Sequence, residues 1–297
     1  MRRALLSLGL ITVLAGCGGA LGKGIPDKPD KPDTPDVPDT GRTDNVDPNA
    51  CGNYATTNIG KKIKAFLTTA KALDKAVTEA ENHVKLACVA MGKELKMSDG
   101  DLEGDTEKVC NAVATKLDAT LKAAVKAEAK LEIEYKPAVC TIDASVQARA
   151  EAACAGSGST GTGGSSGSGG CAGTAEVEAA LVAKCTPAEL KVSGGAGIAV
   201  DEAKLAMAIK AIEVGLPKIL DVYGRLQVIA KAGGAFAKAS VELVQAGRTI
   251  LDDVGDQILC VSGQIIAAAD LITEVMGSVE ITVTVSVEVS GSAGASI

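Results

Sequence analysis

Nine cysteines and one histidine are the side chains of this chain best suited to covalent or metal chemistry. Four of the cysteines are regularly spaced. Cys140 and Cys154 lie fourteen residues apart, and so do Cys171 and Cys185. In an antiparallel hairpin a single register then sets Cys140 opposite Cys185 and Cys154 opposite Cys171, the arrangement of two disulfides. No Cys-x-x-Cys occurs, and His83 has no second histidine to join, so neither a zinc site nor a nucleophile–base pair is indicated. His83 reads as a partly exposed helix residue.

Other motifs are weaker. Asp99, Asp101, Glu103 and Gly104 stand where the opening of a calcium loop would put them, but the twelfth position is Cys110, so the bidentate carboxylate is missing. The stretch is expected to be a turn, with Asp105 or Thr106 capping the next helix. The runs 156–161 and 163–167 match a dinucleotide fingerprint and a hydrolase elbow letter for letter. Both lie in Gly/Ser-rich sequence without a strand–turn–helix context and are set aside.

The elements that position the four cysteines come next. From Cys140 to Ala152 every second residue is apolar, and Cys171 to Cys185 repeats the pattern less cleanly. Period-two alternation favours strands. The register extends outward to Tyr135 opposite Leu190 and Ile133 opposite Val192, with a shared kink at Pro137 and Pro187. A cystine-stapled helical hairpin stays open as the alternative, because the segments are rich in Ala and fourteen residues bring a helix nearly back to one face.

The N-terminus carries Arg2 and Arg3, an apolar run from Ala4 to Val13 too short to span a membrane as a mature helix, and then Leu14-Ala15-Gly16-Cys17. This resembles the lipobox of bacterial lipoproteins. The resemblance covers about the first twenty residues and implies cleavage before Cys17 and acylation of that cysteine. Gly18 follows, which resembles the pattern sorted to the outer membrane. Setting Cys17 aside leaves an even number of cysteines in an exported chain, hence four disulfides. Two pairs lie in the hairpin, and a helical hairpin joins Cys88 to Cys110. Cys51 and Cys260 then pair by elimination.

Between Cys17 and the body, Pro26 to Pro38 forms a Pro-Asp-x repeat that favours extended polyproline and spans roughly 45 Å as a tether. A helix from about Thr56 carries a heptad seam from Ile59 through Phe66, Leu73 and Val84 to Met91. A second runs from about Thr106 to Lys130. After a turn at 193–198, Asp201 caps a long helical run to about Val254, on the order of 80 Å if continuous through Pro217 and Gly233. An apolar helix from about Gly255 to Met276 reads as a bundle helix, not a membrane span. Val279 to Val289 alternates Val and Ile with Glu, Thr and Ser and reads as a strand.

The expected fold is α+β, mainly α: an elongated antiparallel helical bundle or coiled coil with a projecting disulfide-stapled β-hairpin and a C-terminal strand completing a small antiparallel sheet. The segments are a signal peptide (1–16), lipidated Cys17 and tether (17–50), helical hairpin (51–130), stapled hairpin with a Gly/Ser tip (131–198), long and short bundle helices (199–277), and strand with tail (278–297). The body also resembles uncharacterised exported lipoproteins of myxobacterial type, which implies no known activity. With a formal charge of −7 and only 2% aromatic residues, the chain lacks the footprint of a nucleic-acid binder and the aromatic lining of a deep pocket. The function expected is a non-enzymatic, membrane-anchored envelope lipoprotein with a structural or interaction role, without cofactor or metal. The expected partner is the membrane, through the lipid; a protein partner is possible and unknown, and the oligomeric state is unknown. The alternatives are a membrane-active protein resembling helical pore-forming toxins with a β-tongue, and an enzyme of unrecognised type.

Overall fold

The computed structural model describes residues 46–126, 132–155, 168–193, 199–246 and 257–294. The expected signal segment, Cys17, the expected Pro-Asp tether and most of the Gly/Ser tip lie outside the described residues. The fold is α+β and mainly α.

Helix α1 (Asn58–Glu94) starts where the Thr57 hydroxyl accepts the Gly60 N–H at 3.0 Å. Its seam is buried as the heptad spacing predicts, from Ile63 through Phe66, Leu73, Val77 and Val84 to Met91. His83 lies on the exposed side. A 3-10 turn at Asp99–Leu102 leads to α2 (Thr106–Ala124), capped by Asp105, whose Oδ1 accepts the Lys108 N–H at 2.8 Å. Helix α2 stops at Ala124, short of the expected Lys130. The Ala124 carbonyl instead accepts the Val200 N–H at 2.8 Å, just before α5 (Glu202–Ala246) begins.

Helix α5 is one helix through Pro217 and Gly233. It runs antiparallel to α1, with Gly215 against Met91 at one end and Phe236 against Phe66 at the other, ring centroids 5.0 Å apart. Two packed cores result. One joins the first half of α1 to the second half of α5 around Phe66 and Phe236. The other joins the second half of α1, α2 and the first half of α5 around Met91, Leu117 and Leu216.

The C-terminal strand is overturned. Helix α6 (Ile258–Ala293) takes in the whole Val279–Val289 stretch and packs on α1, α2 and α5. Its alternating Val and Ile residues do not share a face. Val279, Thr282, Val285, Val289 and Ala293 are buried at helical spacing, while Ile281 and Val287 are largely exposed. Buried hydroxyls are satisfied within the helix. Thr282 donates to the Ser278 carbonyl at 2.8 Å, and Ser286 and Ser290 each donate one turn back at 2.7 Å. With those groups bonded internally, Ser and Thr substitute for apolar residues on the buried face. Tertiary packing outweighs the β-propensity of the Val run.

The central hairpin is part strand and part helix. Strands β1 (Glu132–Lys136) and β4 (Glu189–Ser193) pair antiparallel, with Tyr135 opposite Leu190 and Ile133 opposite Val192. Strands β2 (Val139–Thr141) and β3 (Lys184–Thr186) continue the same register with Cys140 opposite Cys185. The break between the two sheets falls at Pro137 and Pro187, where prolines remove ladder donors. Beyond β2 the strand expectation fails. Residues Ala144–Ala155 form α3 and Ser168–Leu181 form α4. Six of the twelve α3 residues are Ala, which favours helix and gives the alternation no apolar bulk to bury. Asp143 starts α3 by accepting the Ser145 N–H at 2.8 Å. The ribbon therefore carries a pair of packed helices, not a longer sheet.

Candidate functional site, a cleft beside the cystine ribbon

Three disulfides have both ends among the described residues: Cys51–Cys260, Cys88–Cys110 and Cys140–Cys185. All three match the pairings expected from the sequence. Cys171 is likewise disulfide-bonded and buried. The Cys154 side chain lies outside the described residues. Cys88 and Cys110 are completely buried between α1 and α2. Cys51–Cys260 joins the segment entering the body to the first turn of α6, and the Asp47 N–H bonds Gln264 Oε1 one turn further along at 2.7 Å.

The ribbon is fixed on α5 by three local features. At Gly224 a Cβ would lie 2.9 Å from Ala138 Cβ, so the chain needs glycine there for the ribbon to approach. Asp221 Oδ1 accepts the Ala188 N–H at 2.5 Å. Tyr135 packs toward α5, and its phenol is held above the ordinary range, first by burial and then by nearby Tyr223 and Asp221. Lys136 and Glu189 pair across the ribbon at 2.7 Å on its exposed side.

So placed, β2, α3, α4 and α5 enclose an open cleft of about 800 Å³. Val139, Cys140 and Ile142 form one wall, and Gly224, Val228 and Ala232 of α5 the other. The polar groups are Gln147 on α3, Glu176 on α4, and Gln227 and Lys231 on α5. The Cys140–Cys185 bond makes the first wall covalent. The Gln147 amide nitrogen is taken by Glu151 at 3.0 Å and that of Gln227 by the Tyr223 hydroxyl at 2.7 Å, which leaves their carbonyl oxygens as acceptors. Val139 is 56% exposed, and the outer edge of β2 has no partner strand among the described residues.

Helix α4 positions Glu176. Its neighbours Thr174, Ala175, Val177 and Ala179 are buried, and Gly173 sits against the Phe236 backbone, so the helix is inserted between α1 and α5. Glu178 is engaged by the Thr69 hydroxyl at 3.0 Å. Glu176 is half-buried at the cleft.

Of the described residues singled out in the sequence as candidate sites, Cys140 alone lies on the cleft. Glu176, Lys231, Gln147 and Gln227 carry no motif. The one available signal was the pair of acidic residues, Glu176 and Glu178, within the small, apolar α4 segment, of which only Glu176 lines the cleft. Among the described residues no group of three His, Cys, Asp or Glu side chains is placed to hold a metal. No family model, no curated protein and no solved structure matches the chain.

Proposed function

We propose that this chain is a non-catalytic envelope lipoprotein, held at the outer membrane through a lipid on Cys17, with a structural or interaction role. The observation that supports this most is the covalent closure of the body. Every cysteine whose bonding is described, from Cys51 to Cys260, is oxidised, and such frameworks persist in oxidising compartments. Export is what the lipobox at Leu14–Cys17 requires. Acylation would leave the cystine-closed body on a Pro-Asp tether outside the bilayer, where several buried chains anchor stably. The cleft holds amides and one pair of opposite charges, groups suited to binding.

Metabolic labelling with an alkynyl fatty acid in a Gram-negative host tests the anchor. Wild-type chain should take up label and fractionate with membranes, and Cys17→Ala should do neither. Label retained by Cys17→Ala, or absent from the wild type, overturns the reading.

A second reading, a membrane-active protein, draws support from α6. That helix is long and apolar enough to cross a membrane by length and composition. Dye release from liposomes by the non-acylated chain would favour it, and intact liposomes would remove it.

A further inference from the structure

We infer that the cleft between β2 and α5 binds a short peptide with both termini free. The inference stands whether or not Cys17 is acylated.

Charge is the first argument. Glu176 and Lys231 line the same cleft from different helices. They are not ion-paired with each other, and among the described residues neither forms an ion pair. Lys210, by contrast, lies on the same helix and is paired with Glu94 at 2.9 Å. Two opposite charges that line one cavity without pairing match a ligand that carries both signs. An ammonium would sit at Glu176 and a carboxylate at Lys231, each making a charge-assisted hydrogen bond.

The second argument is the backbone. Among the described residues β2 has no second partner strand, and the Val139 N–H and carbonyl turn to Thr186 Oγ1 of β3, which leaves an outer edge where an extended segment can add, the mode of β-strand addition. The acceptor oxygens of Gln147 and Gln227 suit peptide N–H groups. The third is apolar cover: Val139, Ile142 and Val228 can receive small side chains. The volume of about 800 Å³ falls within the range of small-ligand clefts, roughly 300–1,000 Å³. The cystine at Cys140 and the close contact at Gly224 fix the walls before any ligand arrives, which limits the entropy lost on binding.

The test uses the full chain in detergent micelles and trialanine as probe, followed through the amide NMR signals of Gly224 and Val228. Free trialanine should shift both signals in a saturable way. N-acetyl-trialanine and trialanine amide should each bind about tenfold more weakly, the loss expected for one charge-assisted bond at a partly exposed site. Glu176→Gln should erase the discrimination against the acetylated form alone, and Lys231→Gln that against the amide alone. Circular dichroism identifies any variant that misfolds, and the comparison of blocked peptides on the wild type needs no variant. Equal binding of all three peptides, no binding by any, or shifts confined to residues away from the cleft overturns the inference.

Discussion

Thr284 distinguishes a helical from a strand C-terminus by the sign of one substitution. It lies in the middle of the Val-rich stretch and is exposed on α6. In an exposed helix interior Thr is less favourable than Ala by about 0.5–0.7 kcal/mol, because its branched side chain loses rotamer freedom. Thr284→Ala should therefore stabilise the protein by about that amount. At roughly 2–4 °C per kcal/mol for a body of this size, the melting temperature should rise by about 1–3 °C. Gly should lie about 1 kcal/mol below Ala and Pro about 3 kcal/mol below. The helix order is thus Ala, Thr, Gly, Pro, spanning on the order of 3 kcal/mol. In a strand Thr is the preferred residue and Ala is depleted, on a scale of about 1 kcal/mol, so Thr284→Ala would destabilise. Equilibrium urea unfolding with the disulfides intact reads the series as shifts in midpoint at constant slope. A lowered midpoint for Thr284→Ala would refute the helical C-terminus and the packing of Thr282, Ser286 and Ser290 against the bundle.

Replacing Cys51 and Cys260 together by Ala should cost about 5 kcal/mol in urea unfolding, the loop-closure value for a sequence separation of 209. The same change at Cys88 and Cys110, separation 22, removes about 3 kcal/mol of closure plus the packing of two fully buried sulfurs. Phe236→Ala should destabilise by about 3–5 kcal/mol, since the ring is completely buried against Phe66. Tyr54 and Tyr135 are both held above the ordinary phenol value, about 10, with burial the main cause. The unfolded chain therefore loses these protons first. Their contribution is fully present below about pH 10 and is lost as pH rises toward the folded values. An absorbance titration should show a late phenolate component that shrinks stepwise in Tyr54→Phe and Tyr135→Phe.

The Cys140–Cys185 and Cys88–Cys110 bonds were legible because spacing constrains them, and Cys51–Cys260 followed by elimination. Equal intervals at 140–154 and 171–185, and a heptad helix ending near Cys88 just before another begins near Cys110, leave few pairings. Register carried over as well: Tyr135 does face Leu190. Secondary structure was misread where side chains carry little directional information. The alternating Ala of α3 satisfies either period, and the Val/Thr/Ser alternation at 279–289 looked two-sided because internally bonded hydroxyls at Thr282, Ser286 and Ser290 can be buried. The helical run of α5 was legible as far as Ala246, with Ile212, Leu216, Ile219, Leu226 and Phe236 buried along it. The cleft could not be read at all. It is assembled from residues near 140, at 176 and near 228, and only the fold brings them together.

The bond between Cys51 and Cys260 has a mechanical consequence. A pull on the N-terminal segment enters the body at Cys51 and crosses directly to Cys260 through sulfur, without being carried along the intervening polypeptide. Helices α1 to α5, the ribbon and the cleft form a closed loop off that load path, and tension is delivered to the last helix. Under such a pull, α1 to α5 and the cleft would keep their shape until α6 yields or the bond is reduced.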